Sequence, residues 1–187
     1  MSKKILAAII LFLLVSISLF VVYVKLQSVP LDKVSLTIKD IGEDYEEFDK
    51  EYITEPYIAP DGTLFAGWKI LEKYHVRFSK INETGVTNDS CFIVIDIGRL
   101  ESENKCKEFI AKIKNTTFYG FDFTELKSET IGEESYIGEN IKTDSEVNNY
   151  FIVFRIENII VAMVTSGQTL ETSIDYAKIM EHKILNS

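Results

Sequence analysis

Two cysteines, two histidines, three prolines, nine glycines and one tryptophan are all that 187 residues hold of those types. Each shortage closes a route. Two cysteines without a C-x-x-C pair cannot build a disulfide scaffold, a structural zinc site or a thioredoxin-type centre. His75 and His182, the only histidines, leave little material for Ser-His-Asp or Cys-His catalysis. Isolated glycines such as Gly132 and Gly138 form no phosphate-cradling loop. Cations are the scarcer charge, 20 Lys and Arg against 29 Asp and Glu, for a net charge of −9. That balance argues against a nucleic-acid partner and against an anionic lipid surface, both of which need clustered cations. No catalytic group, cofactor or metal site is expected from these residues.

Apolar residues are plentiful, at 46%, which is the composition of a folded protein. Ile5 to Val24 runs 20 residues without a charge, enough as a helix to span roughly 30 Å of hydrocarbon. No small-x-small cleavage site follows it, so the run predicts an uncleaved N-terminal transmembrane helix and a bilayer partner. Lys3 and Lys4 on one side and Lys25, Lys33 and Lys39 on the other leave the charge rule for orientation tied. A short N-terminal tail is easy to leave behind, and the sequons at Asn82, Asn88 and Asn115 lean the same way, so the domain is placed outside the cytoplasm. The expected organisation is an anchor over residues 1–27, a stalk over 28–35 and one domain over 36–187.

Strand-like segments run from Asp44 to Thr54, Trp68 to Ile81, Cys91 to Ile97, Phe118 to Lys127, Glu134 to Ile141, Tyr150 to Ile156 and Ile159 to Thr165. In the second of these, Ile70, Tyr74, Val76 and Phe78 fall on one face and Lys73, His75, Arg77 and Ser79 on the other. The strands opening at Cys91, Tyr150 and Ile159 are apolar on both faces, apart from Asp96 and Arg155, which predicts central strands covered from both sides. Glu157-Asn158 reads as a two-residue hairpin turn with Asn in the left-handed region. Helices are expected from Ser102 to Lys114 and from Thr169 to Leu185, each opened by a capping hydroxyl. Together these make an α+β fold, an antiparallel sheet packed with helices. Roughly 23 Å of strand separates Cys91 from Gly98 and a short stretch of helix does not retrace it, so Cys91 and Cys106 are read as buried free thiols.

The candidate interaction patch is Tyr57, Trp68, Lys73, His75 and Arg77. Lys73, His75 and Arg77 form a cationic stripe that suits an anion or an acidic partner. The competing reading pairs them across the sheet with Glu47, Asp49 and Glu51. Tyr45, Tyr52, Tyr57, Phe65, Trp68 and Tyr74 form an aromatic group suited to docking a protein or stacking a sugar, or simply to filling a core. Acidic neighbours such as Glu133 and Glu134 read as solvated surface.

Ile131-Gly132-Glu133-Glu134-Ser135-Tyr136, the hairpin from Tyr150 to Thr165 and the closing helix to Ile184 resemble the C-terminal part of membrane-anchored archaeal proteins of unknown function. In that group a G-[DE]-E-S-Y turn precedes a strand pair and a last helix, and Ile41 to Tyr45 carries a weaker echo of it. The arrangement is similar to the PsbP-like fold, which implies an α/β/α sandwich and an accessory subunit in place of an enzyme. The leading expectation is therefore a non-enzymatic extracytoplasmic module that binds another envelope protein. The alternative is a small-ligand domain for an anion or sugar.

Overall fold

A computed structural model describes residues 12–14, 16, 29–82, 87–114, 123–126, 129–141 and 147–187. The helices are α1 (Leu31–Val34), α2 (Ile38–Ile41), α3 (Glu103–Ile113) and α4 (Leu170–Leu185). The strands are β1 (Tyr45–Ile53), β2 (Tyr57–Ile58), β3 (Lys69–Ile81), β4 (Thr87–Leu100), β5 (Thr124–Glu125), β6 (Glu134–Ile141), β7 (Asn148–Ile156) and β8 (Ile159–Ser166). All eight strands join one antiparallel sheet in the order β1-β3-β4-β8-β7-β6-β5, with β2 added alongside β3.

Every position of β8, and β7 from Asn149 onward, is buried. The register sorts the side chains into two faces. On the front, Val94 of β4, Val164 of β8 and Phe151 of β7 lie across from one another. Here α3 sets down Cys106, Phe109, Ile110 and Ile113 against Phe151, Val153, Ile160, Ala162 and Val164. Each such fully buried side chain contributes about 1.5–3 kcal/mol. The back face carries Ile93, Ile95 and Ile97 beside Val161, Met163 and Thr165. Helix α4 lies there, tied by the Thr165 and Ser173 hydroxyls at 2.7 Å. It holds the N-terminal turns as well, Lys183 donating to the Ser35 carbonyl at 2.8 Å and to Asp40 at 2.7 Å.

Helix ends follow the capping chemistry of the sequence. Ser102 accepts from the Lys105 backbone and Thr169 from the Thr172 backbone, each a cap contributing about 1 kcal/mol. Cys91 and Cys106 are buried free thiols, as the distance argument expects. Burial pushes the Cys106 thiol up to about 12.

The expected fold class needs correction. Among the described residues, eight strands stand against two helices longer than one turn, of 11 and 16 residues. One helix crossing each face is not a helical layer, so the fold is mostly antiparallel sheet and is not the α/β/α, PsbP-like sandwich. The N-terminal transmembrane helix of that expectation is not found: no helix among the described residues is long and apolar enough to cross a membrane. Of the Ile5 to Val24 run only 12–14 and 16 are described, and they are helical; the rest lies outside the described residues, as do 118–122 and 127 of the strand expected from Phe118 to Lys127.

Smaller departures have local causes. A register shift between Ile70 and Glu72 turns Ile70 to the front face, away from Tyr74 and Val76. In the β7–β8 turn it is Glu157, at φ 51, that takes the left-handed conformation, while the Asn158 amide is spent on the Leu100 carbonyl at 3.2 Å.

The G-E-E-S-Y turn is a lock around a buried arginine. Gly132 has φ +65, and a Cβ there would run into the Arg155 carbonyl oxygen. The Ser135 hydroxyl accepts from the Ile131 backbone at 3.1 Å. Glu134 receives the Arg155 Nε at 3.2 Å, Glu133 takes the Nη1, and Glu103 at the start of α3 lies 3.5 Å away. These carboxylates are half-exposed but employed: they neutralise the guanidinium of Arg155, a residue 6% exposed in the strand β7.

Gly98 marks a close approach on the front face. A Cβ placed there would meet the Phe65 ring at 2.7 Å, and that ring is itself 1% exposed. Gly98→Ala is expected to destabilise the protein by about 1–3 kcal/mol through overpacking, read as a lowered urea midpoint with unchanged m.

Candidate functional site

The front face is apolar under α3 and turns polar toward β3 and β1. Strand period alone places Lys73, His75 and Arg77 together on that face. Across the β3–β4 ladder His75 stands opposite Asp96. Asp96 is the one charged residue in the stretch 91–98 of β4 and is 5% exposed. Its Oδ1 lies 3.0 Å from His75 Nδ1 and 3.5 Å from Lys73 Nζ. On the other side, β1 places Glu51 opposite His75 and Asp49 opposite Arg77. Glu51 reaches Lys73 at 3.5 Å, and Asp49 lies 4.0 Å from His75 Nε2. The hydrogen bond to Asp96 holds the His75 imidazole above its ordinary value, against the pull of burial. Burial works to lower the Lys73 ammonium, but Asp96, Tyr57 and Glu51 outweigh it and hold it raised. Tyr57 closes the cluster, its phenol pushed up by burial while Lys73 acts the other way.

This His-Asp couple has the geometry that orients an imidazole for catalysis, yet Nε2 faces the Asp49 carboxylate and not a hydroxyl or thiol. The arrangement supports charge pairing over nucleophile activation. Glu47 does not join it: a register shift between Glu47 and Asp49 turns Glu47 to the back face, where it meets Lys50 at 3.5 Å. Asp96 is the member that sequence reasoning noted and did not use. Its signal was a lone carboxylate within the apolar run of residues 91–97, which demands a partner.

Arg77 is on the stripe but outside the charge network. Its guanidinium lies between the Phe48 and Phe92 rings, 5.3 Å from each centroid. The carboxylate opposite it, Asp49, is turned to His75 and to the Lys50 backbone at 2.8 Å.

Trp68 belongs to a different feature. The loop between β2 and β3 is cinched by Ala59 N–H to the Trp68 carbonyl and Gly67 N–H to the Ala59 carbonyl, both at 2.9 Å. Phe65 is thereby driven into the front-face core against Phe109, centroids 5.1 Å apart. Trp68 stands edge-on to the same Phe109 at 5.5 Å, with Lys112 Nζ 5.8 Å from its ring. Between this loop and α3 lies a groove of about 380 Å³. Ile58, Ala66 and Trp68 supply its apolar surface and Lys69, Glu101, Lys105 and Glu108 part of its rim. Ile58 is 62% exposed. The expected aromatic group is thus divided. Phe65, Trp68 and Tyr57 pack on the front-face core, Tyr52 and Tyr74 form an edge-to-face pair at 5.8 Å, and Tyr45 meets Cys91 at 3.3 Å.

Neither family models nor curated proteins match the sequence. Among solved structures, the chain is similar to the extracellular domain of PknH from Mycobacterium tuberculosis, with a TM-score of 0.56. The likeness is one of fold. It covers 82% of this chain and 94% of that one at 10% identity, so no residue role passes from one to the other.

His75 makes the site pH-sensitive in one direction. Because its pKa is raised on folding, its stabilising contribution is complete below its ordinary value and is lost as pH rises through the folded-state value. Wild type is therefore expected to lose stability relative to His75→Gln as pH rises from below the ordinary histidine value, about 6.5, to above the raised folded-state value. Paired urea titrations across that range measure the difference; parallel curves would remove His75 from the ion-pair network.

Proposed function

We propose that this protein is a non-enzymatic, extracytoplasmic binding module, held at a bilayer by its uncharged N-terminal run, that docks another envelope protein through the Trp68 groove. The groove is the observation that carries the reading. Both faces of the central strands are covered among the described residues, so a docking surface falls to the rim of the sheet. There a half-buried tryptophan, an exposed isoleucine and alternating Lys and Glu side chains combine an apolar anchor with a charged rim. The loop that presents them is fixed by its own backbone hydrogen bonds and by Phe65, which limits the entropy lost on docking. A fold shared with an extracellular domain, and the sequence resemblance to membrane-anchored archaeal proteins, support the same placement.

Full-length protein carrying a photo-cross-linking residue at position 58 tests the proposal, with position 185 on α4 as a control of equal exposure. Irradiation of intact membranes is expected to give an adduct of defined mass from position 58 and none from position 185. Equal labelling from both positions, or none from position 58, would overturn it.

A further inference from the structure

We propose that Arg77 is a docking point for a small monoanionic carboxylate, independent of the Trp68 groove. Three observations converge on it. First, among the described residues no carboxylate comes within ion-pair distance of Arg77, on a face where Lys73 and His75 both have acidic partners. Its register partner Asp49 is committed to His75 and to a backbone amide. Second, the centroids of the Phe48 and Phe92 rings each lie 5.3 Å from the guanidinium carbon, and contact with two rings restricts its freedom before any ligand arrives. Third, Arg77 Nε is buried with no hydrogen-bond partner, while the residue as a whole is half-buried. The occlusion is at Nε, so the two terminal amino groups are the part left to bind, and two parallel N–H donors match the two oxygens of a carboxylate.

The surroundings choose among anions. Asp49, Glu51 and Asp96 lie on the same face, and their combined field opposes a dianion such as phosphate more than a monoanion. Phe48 is 61% exposed beside the guanidinium, an apolar surface for a carboxylate's tail. An aromatic or alkyl monocarboxylate therefore fits both halves of the feature.

Only three arginines, Arg77, Arg99 and Arg155, occur in the chain, so the side-chain Nε–H region of a nitrogen-15 spectrum is readable for the full-length protein in detergent micelles. The shielded Arg77 resonance is assigned by its loss in Arg77→Lys, or, if that variant does not fold, by its selective shift in Phe48→Ala at the exposed ring. Titration with sodium benzoate is expected to move this resonance saturably in the millimolar range while those of Arg99 and Arg155, both in ion pairs, stay in place. Phe48→Ala should weaken the response about threefold, the effect of one exposed ring contact. No movement beyond that given by sodium chloride of equal ionic strength, or parallel movement of all three resonances, would overturn the proposal. Inorganic phosphate acting as tightly as benzoate would overturn the carboxylate assignment.

Discussion

Burial of the central strands on both faces is the constraint from which the rest of the structure follows. A sheet strand that is apolar on alternate residues can leave one side wet, whereas β7 and β8 have no side to spare. Something must close each face, and short cross-strand hairpins cannot supply it. Helix α3 on the front and α4 on the back do, with the β2–β3 loop completing the front by driving Phe65 onto Gly98. The tight approach at Gly98 is a consequence of that coverage: a side chain there would lift the loop off the sheet.

The same constraint explains why the buried charges come with companions. Asp96, Arg99 and Arg155 sit in strands that offer no water, and removing a charge from water costs several kcal/mol unless it is paired and hydrogen-bonded. Each is met from a neighbouring strand or turn: Asp96 by His75 and Lys73, Arg99 by Glu72 at 2.9 Å, Arg155 by Glu133 and Glu134. These pairings join elements far apart in sequence. They also give a physical meaning to the G-E-E-S-Y turn, whose glycine admits the Arg155 backbone and whose glutamates neutralise its side chain. A motif of that kind reports the fold's internal wiring and carries no information about a substrate.

Much of this was legible in the chain. Two-residue alternation gave the Lys73, His75, Arg77 stripe, apolar runs gave the covered strands, and capping hydroxyls at Ser102 and Thr169 gave the helix starts. What stayed hidden depends on contacts that no local pattern encodes. The register shifts at Ile70 to Glu72 and Glu47 to Asp49 each reverse a face, and neither is marked by a glycine or proline in the strand. The aromatic residues between 45 and 74 are close in sequence, yet strand pairing sends them to different sides of the sheet. Helical coverage was overestimated because two-sided burial requires a cover without specifying that it be a layer. Asp96 was visible as an anomaly, but its partners are set by the β3–β4 register, which is a long-range property.

Charge pairing on the front face determines what the site can still do. Every cation that meets an internal carboxylate is withdrawn from external ligands, because a newcomer must break an existing pair before it forms its own. Lys73 and His75 are withdrawn in this way, and the two glutamates beside the Trp68 groove do the same for Lys69 and Lys105 at 2.6 and 2.7 Å. A chain with 29 acidic residues thus neutralises most of its own positive charge. Arg77 departs from that pattern because aromatic rings, not carboxylates, occupy its two sides. Rings hold a guanidinium in place without consuming its five hydrogen-bond donors, whereas a bidentate carboxylate consumes two of them. The distinction between a structural cation and an available one on this face therefore rests on Phe48 and Phe92.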